Sequence, residues 1–193
     1  MDPERRLART RRAWALWRHR PNGSGKTTFF DLLMGARQPD RGRISFEGIS
    51  TKSFLLQRTE FSDLLSLREN LELLSAVRGQ FIVKAVASRL EQDGRGHLLN
   101  RRYGVLSGGE KRWFAVQCVV CFGSDLTIYD EPTVSIDSES REKIRASILS
   151  AHKGGIVLVS SHDQSDIDYM TSGTIGLESG NIAFRSARRE RDL

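Results

Sequence analysis

One run of eight residues, Pro21-Asn22-Gly23-Ser24-Gly25-Lys26-Thr27-Thr28, constrains this chain more than any other feature. Upstream, residues 13–17 are bulky and alternate imperfectly, which reads as a strand. Downstream, Phe30, Leu33 and Met34 recur at helical spacing, and Gly35 marks a stop. A strand, a glycine loop and a helix in that order turn successive backbone N–H groups toward an anion, at the positive end of the helix dipole. Asn22, Gly23, Ser24, Gly25, Lys26, Thr27 and Thr28 are therefore expected to wrap nucleotide phosphates, with Lys26 as counter-charge and the Thr27 hydroxyl as a magnesium ligand. One position departs from the pattern. A Gly-x-x-x-x-Gly-Lys-Thr loop has glycine where this chain has Arg20. If that turn needs positive φ, the added Cβ strains it by about 1 kcal/mol or somewhat more, weakening nucleotide binding without abolishing it.

The rest of the chain alternates strand and helix patterns. Short strands are expected over residues 43–48 and 54–56, and later over 126–130 and in the run 155–163. Amphipathic helices are expected over 65–77 and 81–90, split by Gly79, then after a glycine turn at 107–109, and again over 138–152. Such alternation implies an α/β fold with a mostly parallel sheet covered on both faces. The strand 126–130 ends in Asp130, and Glu131 follows at once. Adjacent carboxylates at the carboxyl end of a strand suit a division of labour, with Asp130 near a hydrated magnesium and Glu131 deprotonating a water for in-line attack on a γ-phosphate.

Composition removes several alternatives. With 193 residues, 38% of them apolar, the chain can bury one sizeable core. The formal charge of +6 suggests a nucleic-acid binder only until its location is traced. Residues 1–20 carry a net +5 and residues 185–193 a net +2, which leaves −1 for residues 21–184. The basic ends can meet anionic lipid, an acidic partner or only solvent. No window approaches the roughly 20 continuous apolar residues of a membrane span, and the Arg-rich opening lacks the apolar core of a signal peptide, so a cytoplasmic location is expected. Cys118 and Cys121, three apart on a helical run, are assigned to packing rather than to a redox pair or half a zinc site.

The stretch Leu106-Ser107-Gly108-Gly109-Glu110 resembles the signature of the ATP-binding cassette (ABC) family. It follows the phosphate loop, with Ser107 81 residues beyond Lys26, and precedes the carboxylates, with Glu110 20 residues before Asp130. Within the same resemblance Gln57 matches the Q-loop glutamine, Asp137 the D-loop and His162 the switch histidine, and residues 21–28 match the Walker A loop. The resemblance implies a single ABC ATPase domain over 1–193: a basic segment and first core strand at 1–20, a P-loop core at 21–60 and 107–193, and a helical subdomain at 61–106. The fold implied is a P-loop NTPase core with a reduced antiparallel β subdomain and an inserted helical subdomain.

The resemblance also implies ATP and Mg2+ as ligands, with Thr27, Gln57 and Asp130 at the metal and Glu131, His162 and Gln57 in catalysis. Ser107, Gly108, Gly109 and Glu110 would cap, in trans, the ATP of a second ABC ATPase chain. A membrane-spanning transporter subunit is the other implied partner, with Phe54, Phe61, Leu64 and Leu65 as contact or core residues. The protein would then sit peripherally on the inner face of the membrane, and no nucleic acid is expected. The family's adenine-stacking aromatic has no evident counterpart, since Trp14 and Trp17 lie on the strand entering the loop. With the Arg-rich opening, this suggests an atypical or truncated N-terminus that impairs activity. The alternatives are a degenerate cassette that binds nucleotide weakly without turnover, and a soluble ABC ATPase acting on nucleic acid or ribosomes.

Overall fold

A computed structural model of the chain describes residues 12–17, 25–55, 61–79, 82–151, 155–178 and 181–186, with the side chains at 12–17, 151, 176–178 and 181–186 outside that description. The chain divides into two units, the first made of Met1–Phe54, Ser124–Glu131 and His152–Leu193, the second of Leu55–Gly123 and Pro132–Ala151.

The first unit is built on a six-stranded sheet. Its strands are β1 (Arg12–Trp17), β2 (Lys52–Leu55), β3 (Leu126–Asp130), β4 (Ile156–Ser160), β5 (Gly173–Glu178) and β6 (Asn181–Ser186), in the spatial order β2-β3-β4-β1-β5-β6. β1 runs parallel to both β4 and β5, and β3 runs parallel to β4. β5 and β6 form an antiparallel pair at one edge. The central strands read as continuous apolar runs because both of their faces are covered: Leu126, Ile128, Tyr129, Val157, Leu158 and Val159 are all buried. Helix α1 (Lys26–Met34) brings Phe30 against Leu126, Ile128, Leu158 and Ile175. It stops where expected, at Gly35, whose φ of 79° is the left-handed conformation that a side chain resists. Helix α6 (Gln164–Met170) joins β4 to β5.

Residues 43–48 form no strand, contrary to their alternating pattern. Residues 43–45 are exposed and Phe46 is half-buried, so alternation there has no sheet face to serve. Phe46 instead packs beside the core, with Lys52 Nζ 3.2 Å from its ring centre.

The second unit contains α2 (Leu67–Arg78), α3 (Val83–Gln92), two short 3-10 turns at Gly96–Asn100 and Tyr103–Val105, α4 (Gly108–Phe122) and α5 (Ser138–Ala151). α2 ends at Gly79, φ 65°, the split that the sequence pattern marked. Leu67, Leu71, Val86 and Leu90 are the buried faces of two amphipathic helices. α4 differs in kind: every residue from Arg112 to Val120 is buried, which makes it the central helix of its unit. Of the four apolar candidates for partner contact, Phe54 packs on the sheet core, and Phe61 lies 5.2 Å from the Tyr103 ring and 5.0 Å from that of Phe114. Leu65 is half-buried, and Leu64 is 80% exposed.

Candidate functional site

The site begins with strand register. β3 and β4 pair in parallel with Asp130 opposite Ser160, so both strands end at the same level and the next residues of each emerge side by side. Ser160 Oγ donates to Asp130 Oδ1 at 2.5 Å. Glu131 N donates to both the Ser160 carbonyl and Ser160 Oγ, each at 3.1 Å. These bonds hold Glu131 at φ 52°, a left-handed conformation that costs a non-glycine residue about 1 kcal/mol or more. The turn directs the Glu131 side chain inward, where it is 7% exposed.

Two cationic or proton-bearing groups meet this carboxylate pair. Lys26 Nζ, on the first residue of α1, lies 2.8 Å from Asp130 Oδ1 and 3.6 Å from Glu131 Oε1. His162, just past β4, brings Nε2 to 3.0 Å from Glu131 Oε1, and its backbone N donates to Glu131 Oε2 at 3.2 Å. The fold therefore gathers four expected residues, Lys26, Asp130, Glu131 and His162, across 136 residues of sequence.

The start of α1 offers the groups that a nucleotide's phosphates need. Gly25 occupies the cap position at φ 87°, with no side chain to bond the first helical amides and no heavy atom within 4 Å of where a Cβ would stand. The first intrahelical bond at this end is Phe29 N to Gly25 O, so the amides of Lys26, Thr27 and Thr28 have no acceptor within the helix. Thr27 and Thr28 are exposed beside them. Open amides, a hydroxyl and an ammonium at one helix end suit a polyphosphate with its metal. Asn22, Gly23, Ser24, Gln57 and Arg20 lie outside the described residues, as do the side chains of Trp14 and Trp17.

The signature residues fall in the second unit, at the start of α4. Ser107 is the N-cap. Its Oγ accepts from Glu110 N at 3.2 Å, and Glu110 Oε2 accepts from Ser107 N at 2.8 Å, a reciprocal capping box. That bond from the Ser107 amide holds the Glu110 carboxyl below its ordinary range. Gly108 has no heavy atom within 4 Å of an ideal Cβ, and Gly109 only the Ser135 carbonyl at 3.7 Å. Asp137 plays the same part for α5: its Oδ1 accepts from Ser140 N at 2.8 Å, which lowers its pKa. Burial pushes the Cys118 thiol up, and that of Cys121 as well, which suits packing rather than reactivity.

Sequence reading missed Ser160, whose partners are assigned only by strand register, and the capping function of Ser107 with Glu110. The second had a signal in the Ser-x-x-Glu spacing.

Over residues 21–134 the sequence matches the ABC transporter family. It is 34% identical over 145 residues to the cytochrome c biogenesis ATP-binding export protein CcmA of Roseobacter denitrificans, covering 74% of this chain and 68% of that protein. It is 29% identical over 184 residues to the doxorubicin resistance ATP-binding protein DrrA of Mycobacterium tuberculosis, covering 88% of this chain and 56% of that relative, little more than half its length. Among solved structures, an ATP binding subunit of an ABC transporter superposes with a TM-score of 0.78 over 91% of this chain and 78% of its own, at 22% identity, a likeness of fold. A chain of ribosome-bound archaeal Pelota and ABCE1 is 26% identical with a TM-score of 0.71, covering 89% of this chain and 28% of that one. With a mostly parallel α/β sheet carrying Lys26, Asp130, Glu131 and His162 at the ends of its strands and helix, the protein belongs to the ABC transporter family, on the side of its ATP-binding subunits.

Proposed function

We propose that the chain hydrolyses ATP as one cassette of an ABC transporter, pairing with a second ABC ATPase chain and driving a separate membrane-spanning subunit. The observation that carries this reading is the buried Glu131 carboxylate, met on one side by Lys26 at 3.6 Å and on the other by His162 at 3.0 Å. In the proposal residues 22–28 hold the phosphates, and Lys26 leaves Asp130 for the β- and γ-phosphate oxygens. Thr27, Gln57 and Asp130 would hold Mg2+, which when bound would supply neutralising charge to the phosphates. Glu131 takes a proton from the attacking water. The water oxygen bonds the γ-phosphorus as the bond to the β-phosphate oxygen breaks, and ADP and phosphate leave. His162 and Gln57 orient the water and the γ-phosphate.

Burial supports Glu131 as base, since a carboxylate shielded from bulk water acts on a bound water rather than on solvent. Ser107, Gly108, Gly109 and Glu110 would close over the nucleotide of the partner cassette, and Asp137 would lie at the same interface. All of residues 1–193 then form a single ABC ATPase domain, with residues 61–106 as its helical subdomain. Among the described residues no helix is long and apolar enough to cross a membrane. The proposal therefore assigns translocation to a partner and this chain to the inner membrane face, with no nucleic acid involved.

The test is Glu131→Gln in the presence of Mg2+ and ATP, with mass measured by light scattering. The expected result is a two-chain complex that wild type forms only transiently. A variant that stays a single chain while binding ATP contradicts the sandwich. The 26% identity to a chain of a ribosome-bound assembly favours a second reading, a soluble ATPase acting on ribosomes. Turnover raised by ribosomes, and not by a membrane subunit, would select it.

A further inference from the structure

We infer that Asp166 is a positioning residue for the loop that carries His162: through the Ser161 hydroxyl its carboxylate fixes the backbone on either side of the imidazole. The inference rests on the catalytic reading of His162 given above.

His162 poses a mechanical problem. Its side chain is 61% exposed, so few neighbours hold the ring, yet Nε2 stands 3.0 Å from Glu131 Oε1. An exposed ring held to such a distance takes its placement from its backbone. That backbone is clamped before and after residue 162. On the near side Ser160 is tied to Asp130 and to the Glu131 amide. Ser161 is buried at 6% exposure, and its hydroxyl has two partners: it donates to Asp166 Oδ2 at 2.8 Å and accepts from Asp163 N at 3.1 Å. A hydroxyl can do both at once, so one side chain spans the residues flanking His162 and anchors them to α6.

Asp166 is the fixed end of this chain of bonds. It is 0% exposed, a state that carboxylates almost never adopt without committed partners. It lies in the first turn of α6. Asp163 serves a different purpose, since its Oδ1 accepts from Ser165 N at 2.9 Å and Ser165 Oγ at 2.7 Å and so caps α6. The path from α6 to the water-activating carboxylate is therefore Asp166, Ser161, the peptide at 162, and Glu131. A small displacement of a positioned group is enough to slow a reaction on the order of 100-fold.

The experiment compares Asp166→Ala, Asp166→Asn, Ser161→Ala, His162→Ala and the His162→Ala/Asp166→Ala double variant. It reads kcat and KM for ATP in Mg2+, with thermal unfolding as a check on folding. Asp166→Ala and Ser161→Ala should each lower kcat on the order of 10- to 100-fold, with KM changed by less than about threefold. Asp166→Asn should recover most of the rate, because its amide oxygen still accepts from Ser161. Asp166→Ala should add little in the His162→Ala background, since both act through one imidazole. If Asp166→Ala does not fold, Ser161→Ala carries the same expectations. Loss of turnover in His162→Ala, with wild-type kcat in Ser161→Ala and in any folded Asp166→Ala, overturns the inference alone. Losses that multiply fully in the double variant overturn it too. Wild-type turnover in His162→Ala overturns both the inference and the role of His162 beneath it.

Discussion

At the scale of single residues, the energetics of the site concentrate on Glu131, which combines burial, a left-handed backbone and close contacts to Lys26 and His162. Glu131→Gln is expected to leave ATP binding within a few-fold of wild type and to cut turnover on the order of 100-fold or more, measured by phosphate release. Lys26→Ala should instead lower ATP affinity, and it also removes the ammonium that lies 2.8 Å from Asp130 Oδ1, a change visible as weaker nucleotide binding in calorimetry. Lys26, Asp130 and Glu131 were legible in the sequence because each stands at a fixed point of a strand-to-loop or loop-to-helix pattern, whereas His162 was singled out only through the family resemblance. Ser160 and Asp166 were not. Their roles depend on which strands lie side by side and on what is buried, and a serine or aspartate in a polar run carries no trace of either.

At the scale of elements, the glycine stops at Gly35 and Gly79 were the best-read features, the serine caps at the helix starts were not read, and strands without partners were read worst. Two capping boxes, Ser66 with Glu69 and Ser107 with Glu110, follow the same Ser-x-x-Glu spacing. Ser66→Ala, away from the proposed chemistry, should cost about 1 kcal/mol in urea unfolding and leave kcat unchanged. Glu110 titrates with a definite sign. Its folded pKa lies below the ordinary 4.5, so its contribution is complete above that value and is lost as pH falls through the folded one. Glu110→Gln should therefore destabilise at pH 7, and the difference from wild type should vanish in acid, as followed by unfolding at several pH values. Arg95 ties two helices of the second unit, α5 and α4: its Nη2 donates to Ser140 Oγ at 2.6 Å, and its guanidinium lies 5.0 Å from the Trp113 ring. Arg95→Ala is expected to cost on the order of 1–2 kcal/mol of stability in urea unfolding. The alternation at residues 43–48 misled because a period of two marks a strand only where a sheet face awaits it.

At the scale of the whole molecule, the alternation of strands and helices was enough to specify an α/β sheet with parallel central strands, because buried parallel strands have a recognisable apolar composition. The β5–β6 pair and α6 were not read in advance. Their residues are short of strong periodicity, and their order in the sheet, beyond β1, is a consequence of chain crossover rather than of local pattern. The helical insertion was legible from the two amphipathic stretches and Gly79. In the proposed function this chain turns over ATP and needs a second chain to do so. This is tested most directly by Mg2+-dependent phosphate release from the purified chain over a concentration series, with Glu131→Gln as the blank. A rate per chain that rises with concentration is expected; a rate indistinguishable from the blank in folded protein, or one independent of concentration, would rule the two-chain ATPase out.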